Sequence, residues 1–173
     1  MFNGERRSKD DLVFKALGAT DELNSHIGLA RHYAGQVPAI SSKLEEIQSR
    51  LLDIGSNVAT PTTNSDDKRL ARTTFNEQHV QRLEAWIDDL DKDLPPLRNF
   101  ILPGGGLLGS QLHVCRSVCR RAETCVVSLH HLNEVHPSVL KYLNRLSDFL
   151  FVSARYAAQQ GKHSEIVYKK SEE

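Results

Sequence analysis

In the stretch CRSVCRRAET, residues 115–124, Arg116, Arg120 and Glu123 fall four and then three positions apart. On a helix that spacing stacks all three on one face. Two guanidiniums one turn apart offer forked donors suited to a polyphosphate or to paired carboxylates. The carboxylate one turn further can orient those forks or hold a metal-bound water. Leu112, Cys115, Val118, Cys119, Val126 and Val127 surround the three, and charge amid apolar surface must find partners. An ion network at a subunit interface uses the same chemistry, and spacing does not separate it from a phosphate cradle.

A second polar stripe runs through HPSVLKYLNRLSDFLFVSARYAAQQ, residues 136–160. Lys141, Asn144, Arg145, Asp148 and Arg155 line up beside two apolar stripes, one of Val139, Leu143, Leu146, Leu150 and Ala157, the other of Tyr142, Phe149 and Tyr156. A salt-bridged seam, Arg145 with Asp148 or Asp148 with an arginine of the preceding helix, and a binding site both satisfy this pattern. Weaker signals fall away. Cys115 and Cys119 with His113 lack a second ligand pair nearby and read as buried thiols. Glu22 with His26 has the wrong spacing for the Glu-x-x-His pairs of a di-iron bundle. Pro103–Gly106, PGGG, precedes a helix whose amides can meet an anion, but it has no Lys-Ser/Thr of a P-loop. His130, His131 and His136 read as exposed residues near a helix end.

Helices must carry these stripes. Apolar periodicity predicts segments at Lys9–Ala34, with a Ser8 cap and acidic first turn, and at Ala39–Ala59, led by Pro38. Further segments follow at Glu77–Leu90, Leu108–Val135 and Pro137–Gln160, the last closed by Gly161. Thr60–Thr74 is polar and aperiodic and reads as a loop; Leu94–Gly106, LPPLRNFILPGGG, reads as an extended, proline-bounded connection. The expectation is an all-α, up-and-down five-helix bundle forming one domain over 1–173.

Composition agrees with a packed domain: 39% hydrophobic and 25% charged residues in 173. Twenty-two basic and 22 acidic residues cancel, so bulk charge provides no drive toward nucleic acid or an anionic membrane. No apolar run approaches the ~18 residues of a membrane span. Three cysteines in one short segment read as reduced thiols of an intracellular protein. The N-terminus reads as neither signal nor transit peptide, and Phe2-Asn3-Gly4 reads as the tail of a turn with residues expected upstream.

Five stretches in order, FNGERRSKDD, LGATDELNSHIG, LPPLRNFILPGGG, CRSVCRRAE and LNRLSDFLFVSARYAA, resemble the PduO-type ATP:cob(I)alamin adenosyltransferases, most of all their mitochondrial, animal-type members. The likeness spans Phe2 to about Lys169. It implies a homotrimer of five-helix bundles with sites at subunit interfaces, transferring the 5′-deoxyadenosyl group of ATP to the cobalt of cob(I)alamin and releasing triphosphate. Mg²⁺ accompanies the ATP. By the same likeness Lys9 and Arg120 contact the triphosphate, and Arg121 and Glu123 belong to the nucleotide stretch. Asn144 holds the nucleotide with Arg145 and Asp148 lining the site, Asp21 pairs with Arg116 of a neighbouring subunit, and Phe100 presses on the lower face of the corrin. A mitochondrial matrix location is implied on this ground alone.

Two departures from the family pattern follow. A TRTGDxG-type ATP loop ordinarily precedes FNGER, and this chain is expected to lack it, since it starts at Met1-Phe2. Where the family often reads RRAERR this chain reads RRAETC, so Thr124 and Cys125 remove positive charge at the edge of the nucleotide stretch. The missing loop keeps a second expectation open, a non-catalytic trimeric bundle that binds or chaperones corrinoid.

Overall fold

The computed structural model describes residues 4–171, so Phe2 and Asn3 of the first family-like stretch lie outside the described residues. Five long helices form the bundle: α1 Leu12–Tyr33, α2 Pro38–Val58, α4 Gln78–Asp91, α5 Gly106–His131 and α6 Pro137–Gln160, with a short α3 at Asp67–Thr73. α1 packs between α2 and α5, and α6 between α5 and α4. α1 and α5 run antiparallel, since His26 meets Gln111 while Glu22 meets Arg121. Val13, Leu23, Ile27, Leu44, Ile47, Ile54, Leu112, Leu143 and Phe149 are fully buried in one core. No helix of the described residues is long and apolar enough to cross a membrane.

Local chemistry sets the helix ends. Pro137 and Gly161 bracket α6 where expected, and His136 caps it by accepting from the Ser138 amide. α1 begins three residues later than predicted: the side chain of Asp11, not Ser8, accepts from the Val13 amide at 2.9 Å, while the Ser8 carbonyl closes the turn before it. α5 ends earlier than predicted, in a turn where Asn133 takes φ 54°.

The 60–74 segment is not simply a loop. It holds a 3₁₀ turn at Thr62–Asn64 and then α3, capped by Asp66 on the Arg69 amide. Buried Asn57 fastens it, donating to the Thr73 carbonyl at 2.8 Å and accepting from the His136 amide at 3.2 Å.

The 94–105 connection is extended as expected, but it does not run free. Leu102 N donates to the Ile166 carbonyl and Tyr168 N to the Phe100 carbonyl, each at 2.8 Å, around an isolated antiparallel bridge between Ile101 and Val167. Arg155, 4% exposed, clamps both pieces from α6, donating to the Pro95 carbonyl at 2.8 Å and to Glu165 at 2.7 Å.

The connection ends on Gly105, left-handed at φ 96°, where a Cβ would stand 2.6 Å from Cβ of Ala158. The glycine run is therefore demanded by the close passage of α5's start against α6. Gly105→Ala combines a strained φ with overpacking, and a loss of about 2–4 kcal/mol is expected in urea unfolding. An unchanged midpoint would remove this account of the turn.

Candidate active site

Midway along α5 an open groove of about 660 Å³ is lined by Arg120, Arg121, Glu123, Thr124, Cys125, Val127 and, from α6, Asn144. The helical period puts Arg120 and Glu123 on one side, and the α5–α6 packing brings Asn144 to them: its side-chain amide donates to Glu123 Oε1 at 2.9 Å. That bond orients the carboxylate and leaves its second oxygen available. Arg120 is exposed and makes no ion pair among the described residues. An unneutralised guanidinium beside an oriented carboxylate and an amide suits a ligand carrying both anionic and polar groups.

The neighbouring Arg121 has a different partner. It reaches across to Glu22 on α1 and is neutralised there. Thr124 and Cys125, where the chain leaves the family pattern, both line the groove, and the Thr124 hydroxyl is turned back onto the Arg120 carbonyl at 2.9 Å.

Arg116, one turn before Arg120, is half-buried, with its guanidinium 6.0 Å from the Phe151 ring centroid and its Nε buried without a hydrogen-bond partner among the described residues. Asp21 is exposed on α1 and lines an apolar groove of about 340 Å³ between α1 and α2 with Leu17, Leu51 and Leu52. Asp21 and Arg116 do not meet within the chain.

On α6, Arg145 and Asp148 form the intrahelical pair that spacing allowed, at 2.9 Å. Arg145 also leans to Glu84 of α4 at 3.4 Å, so it lines a groove with Glu77, Glu84 and Lys141 rather than the one holding Arg120. Asn144 lies on both grooves.

Lys9 and Phe100 lie at opposite ends of α5. Lys9 is exposed just before α1, its ammonium 4.9 Å from the Phe14 ring centroid. Phe100 is 85% exposed on the connection entering α5. The start of α5 lies about 20 Å along the helix axis from Arg120, at 1.5 Å per residue. One chain therefore gathers Arg120, Arg121, Glu123 and Asn144, and leaves Lys9, Phe100, Asp21 and Arg145 apart from them.

Two neighbours of the site were given no role by the sequence reading, which weighed His113 only as a metal ligand beside Cys115 and Cys119 and did not single out Gln111. His113 is buried against Phe151 and lines a small cavity of about 30 Å³ under the connection and tail. Burial, with Arg116 adding to it, pushes its imidazole below the ordinary value, so it stays neutral. The signal for its place beside the site was its position one helical turn before Arg116, on the same face. Gln111 ties α5 to α1 by donating to the His26 carbonyl at 3.1 Å, a contact that carries no spacing signal.

The cysteines pack as thiols. Burial pushes Cys115 up to about 12, and it also drives Cys119 upward, whose sulfur donates to the Leu143 carbonyl at 3.2 Å. Neither is a nucleophile at neutral pH.

Comparison with known proteins finds likeness over nearly the whole chain. The family described as cobalamin adenosyltransferase matches residues 1–157. The corrinoid adenosyltransferase MMAB of Mus musculus is 49% identical over 170 residues, covering 98% of this chain and 72% of the relative. The corrinoid adenosyltransferase of Bacillus subtilis is 39% identical over 171 residues, covering 97% and 86%. Among solved structures, a phenylalanine-to-alanine variant of the PduO-type ATP:corrinoid adenosyltransferase from Lactobacillus reuteri, complexed with cobalamin and ATP, superposes with a TM-score of 0.88 at 37% identity, covering 96% of this chain and 92% of that one. An arginine-to-lysine variant complexed with ATP gives 0.85 at the same identity.

Proposed function

The chain belongs to the cobalamin adenosyltransferase family, and on that footing we propose how its own residues perform the family's reaction. The protein transfers the 5′-deoxyadenosyl group of ATP to the cobalt of cob(I)alamin, giving adenosylcobalamin and triphosphate. The observation that carries the residue assignment is the unneutralised Arg120 in one groove with the Glu123–Asn144 pair.

Cob(I)alamin is the nucleophile. A cobalt electron pair forms the bond to C5′, the C5′–O bond breaks, and its electrons leave on the triphosphate. No protein base or nucleophile is required, which accords with buried, protonated thiols and a neutral His113. The protein's work is to align C5′ with cobalt and to stabilise charge on the leaving group.

Arg120 and Lys9 take the triphosphate oxygens, and Asn144 with Glu123 holds the nucleotide. Arg121, paired with Glu22, sets the wall of the groove. Phe100 and Ile101 form an apolar wall that keeps water from the lower face of the corrin and favours loss of the axial base. Mg²⁺ fits this arrangement as an ion held mainly by phosphate oxygens, which needs few protein ligands; Glu123 would hold it through water, and its chemistry is further charge neutralisation on the leaving group.

The working unit in this reading is a homotrimer with each site between two subunits. Support comes from the separation of Lys9, Phe100 and Arg120 along one chain, and from the exposed Asp21 and an Arg116 Nε without a hydrogen-bond partner among the described residues. Asn144, which lies on both grooves, joins the Arg145 groove to the one holding Arg120, and in this reading Arg145 with Asp148 edges the shared site from the side facing α4. Likeness to mammalian corrinoid adenosyltransferases supports the mitochondrial matrix as the place of action.

The activity is tested by mixing the protein with chemically reduced cobalamin and MgATP and following the adenosylcobalamin absorption spectrum. Absence of that spectrum both from this chain and from the chain extended by a TRTGDxG-type loop rejects the assignment. Asp21→Ala is expected to shift the trimer toward smaller species in light scattering with helix content retained; a trimer of unchanged stability rejects the Asp21–Arg116 bridge.

A further inference from the structure

The segment 5–11 has no regular structure, yet one contact anchors it firmly. Arg7 reaches the turn between α5 and α6 and grips Glu134 with two nitrogens, Nη1 at 3.1 Å and Nη2 at 3.4 Å. Its Nε donates to Glu5 at 3.0 Å, and Nη1 lies 3.7 Å from Asp11. The side chains of Arg7 and Glu134 are only 13% and 14% exposed. Asp11 is the residue that caps α1, so the guanidinium also touches the start of that helix.

Between these two fastened points stands Lys9. It is exposed, lies over Phe14, and makes no ion pair among the described residues. The neighbouring Asp10 carboxyl is held below its ordinary value by a Ser8 hydrogen bond, and so is already engaged. We propose that Arg7 is a positioning residue for ATP: by pairing with Glu134 it fixes the strap that presents Lys9 to the triphosphate. The proposal rests on the reading that Lys9 meets the phosphates.

The physical reason is entropy. A lysine on a loose strap must order backbone as well as side chain when a ligand binds. Holding the strap at Arg7 and Asp11 removes the backbone share beforehand and leaves only the stem to settle. The bidentate geometry matters, because a lysine at position 7 supplies charge without the planar fork.

Steady-state kinetics on the full chain, with chemically reduced cobalamin and MgATP, decide the point. Arg7→Ala is expected to raise KM for ATP about tenfold while kcat and KM for cobalamin move less than about twofold, since misplacement of one binding group is read in that substrate's binding. Arg7→Lys recovers part of the loss, and Glu134→Gln shifts KM in the same direction. The decisive arm is the Arg7→Ala/Lys9→Ala double variant, which is expected to be no worse than Lys9→Ala alone, because one residue acts through the other.

If Lys9→Ala raises KM and Arg7→Ala multiplies it again by its full factor, Arg7 does not act through Lys9 and the proposal is wrong. If Lys9→Ala leaves KM unchanged, the phosphate role of Lys9 is what fails, and the positioning role falls with it. Should Arg7→Ala lose its helical circular dichroism, Glu134→Gln carries the same comparison in both backgrounds, and an unmoved KM there overturns the proposal.

Discussion

Arg120→Ala lowers kcat/KM for ATP by about 100- to 1,000-fold and leaves the bundle folded, the range expected when one cationic contact to a developing anion is removed. Arg120 is exposed and has no ion pair among the described residues. Truncating it therefore orphans no protein carboxylate, and the Thr124 hydroxyl keeps its bond because that bond is to backbone. Arg120→Lys retains charge without the fork and falls between the two. Calorimetric titration with ATP, beside a thermal melt, separates binding from stability. Unaltered ATP affinity in the alanine variant would show that the triphosphate lies elsewhere.

The second large effect is on stability. Arg155→Ala is expected to lose about 2–3 kcal/mol, because it leaves the Pro95 carbonyl without its donor and Glu165 without its cation at a nearly buried position. The loss is local first. The Leu102 and Tyr168 amides, bonded across the Ile101–Val167 bridge, should exchange hydrogen much faster, while amides in the middle of α1 and α5 slow the exchange as before. If those two amides keep their protection, Arg155 does not hold the tail against the connection. On the role proposed for Phe100, which rides on the same segment, activity should fall as well.

Much of this was legible in the chain because the period-3.6 signal is strong wherever a helix has one buried face. α6 could be bounded at both ends, since Pro137 and Gly161 stop a helix in ways that tertiary packing seldom overrides. α1's start was misplaced because Ser8, Asp10 and Asp11 can all cap, and the cap used, Asp11, lies beside Arg7, whose main partner is Glu134, far off in sequence. α3 was hidden because DKRLART has no apolar stripe; its capping Asp66 and the reach of Asn57 hold it instead. A single backbone bridge at Ile101–Val167 leaves no alternating pattern to read. The shared face of Arg116, Arg120 and Glu123 followed from spacing, whereas the split between Arg120, open to a groove, and Arg121, neutralised by Glu22, required the α1–α5 packing. Arg145 turns toward Glu84 for the same kind of reason: α4 is a neighbour that spacing along α6 does not contain.

The pairing of residues 100–102 with 166–168 bears on the order in which the protein is made. A ribosome releases the segment carrying Phe100 long before the residues that pin it, with all of α5 and α6 synthesised in between. The helices can begin to associate as they emerge, but the loop carrying Phe100 acquires its backbone partners only after α6 is complete. A premature stop just beyond Gln160 would thus keep the sequence of every long helix while leaving the Phe100 segment without its backbone partners and Arg155 without Glu165.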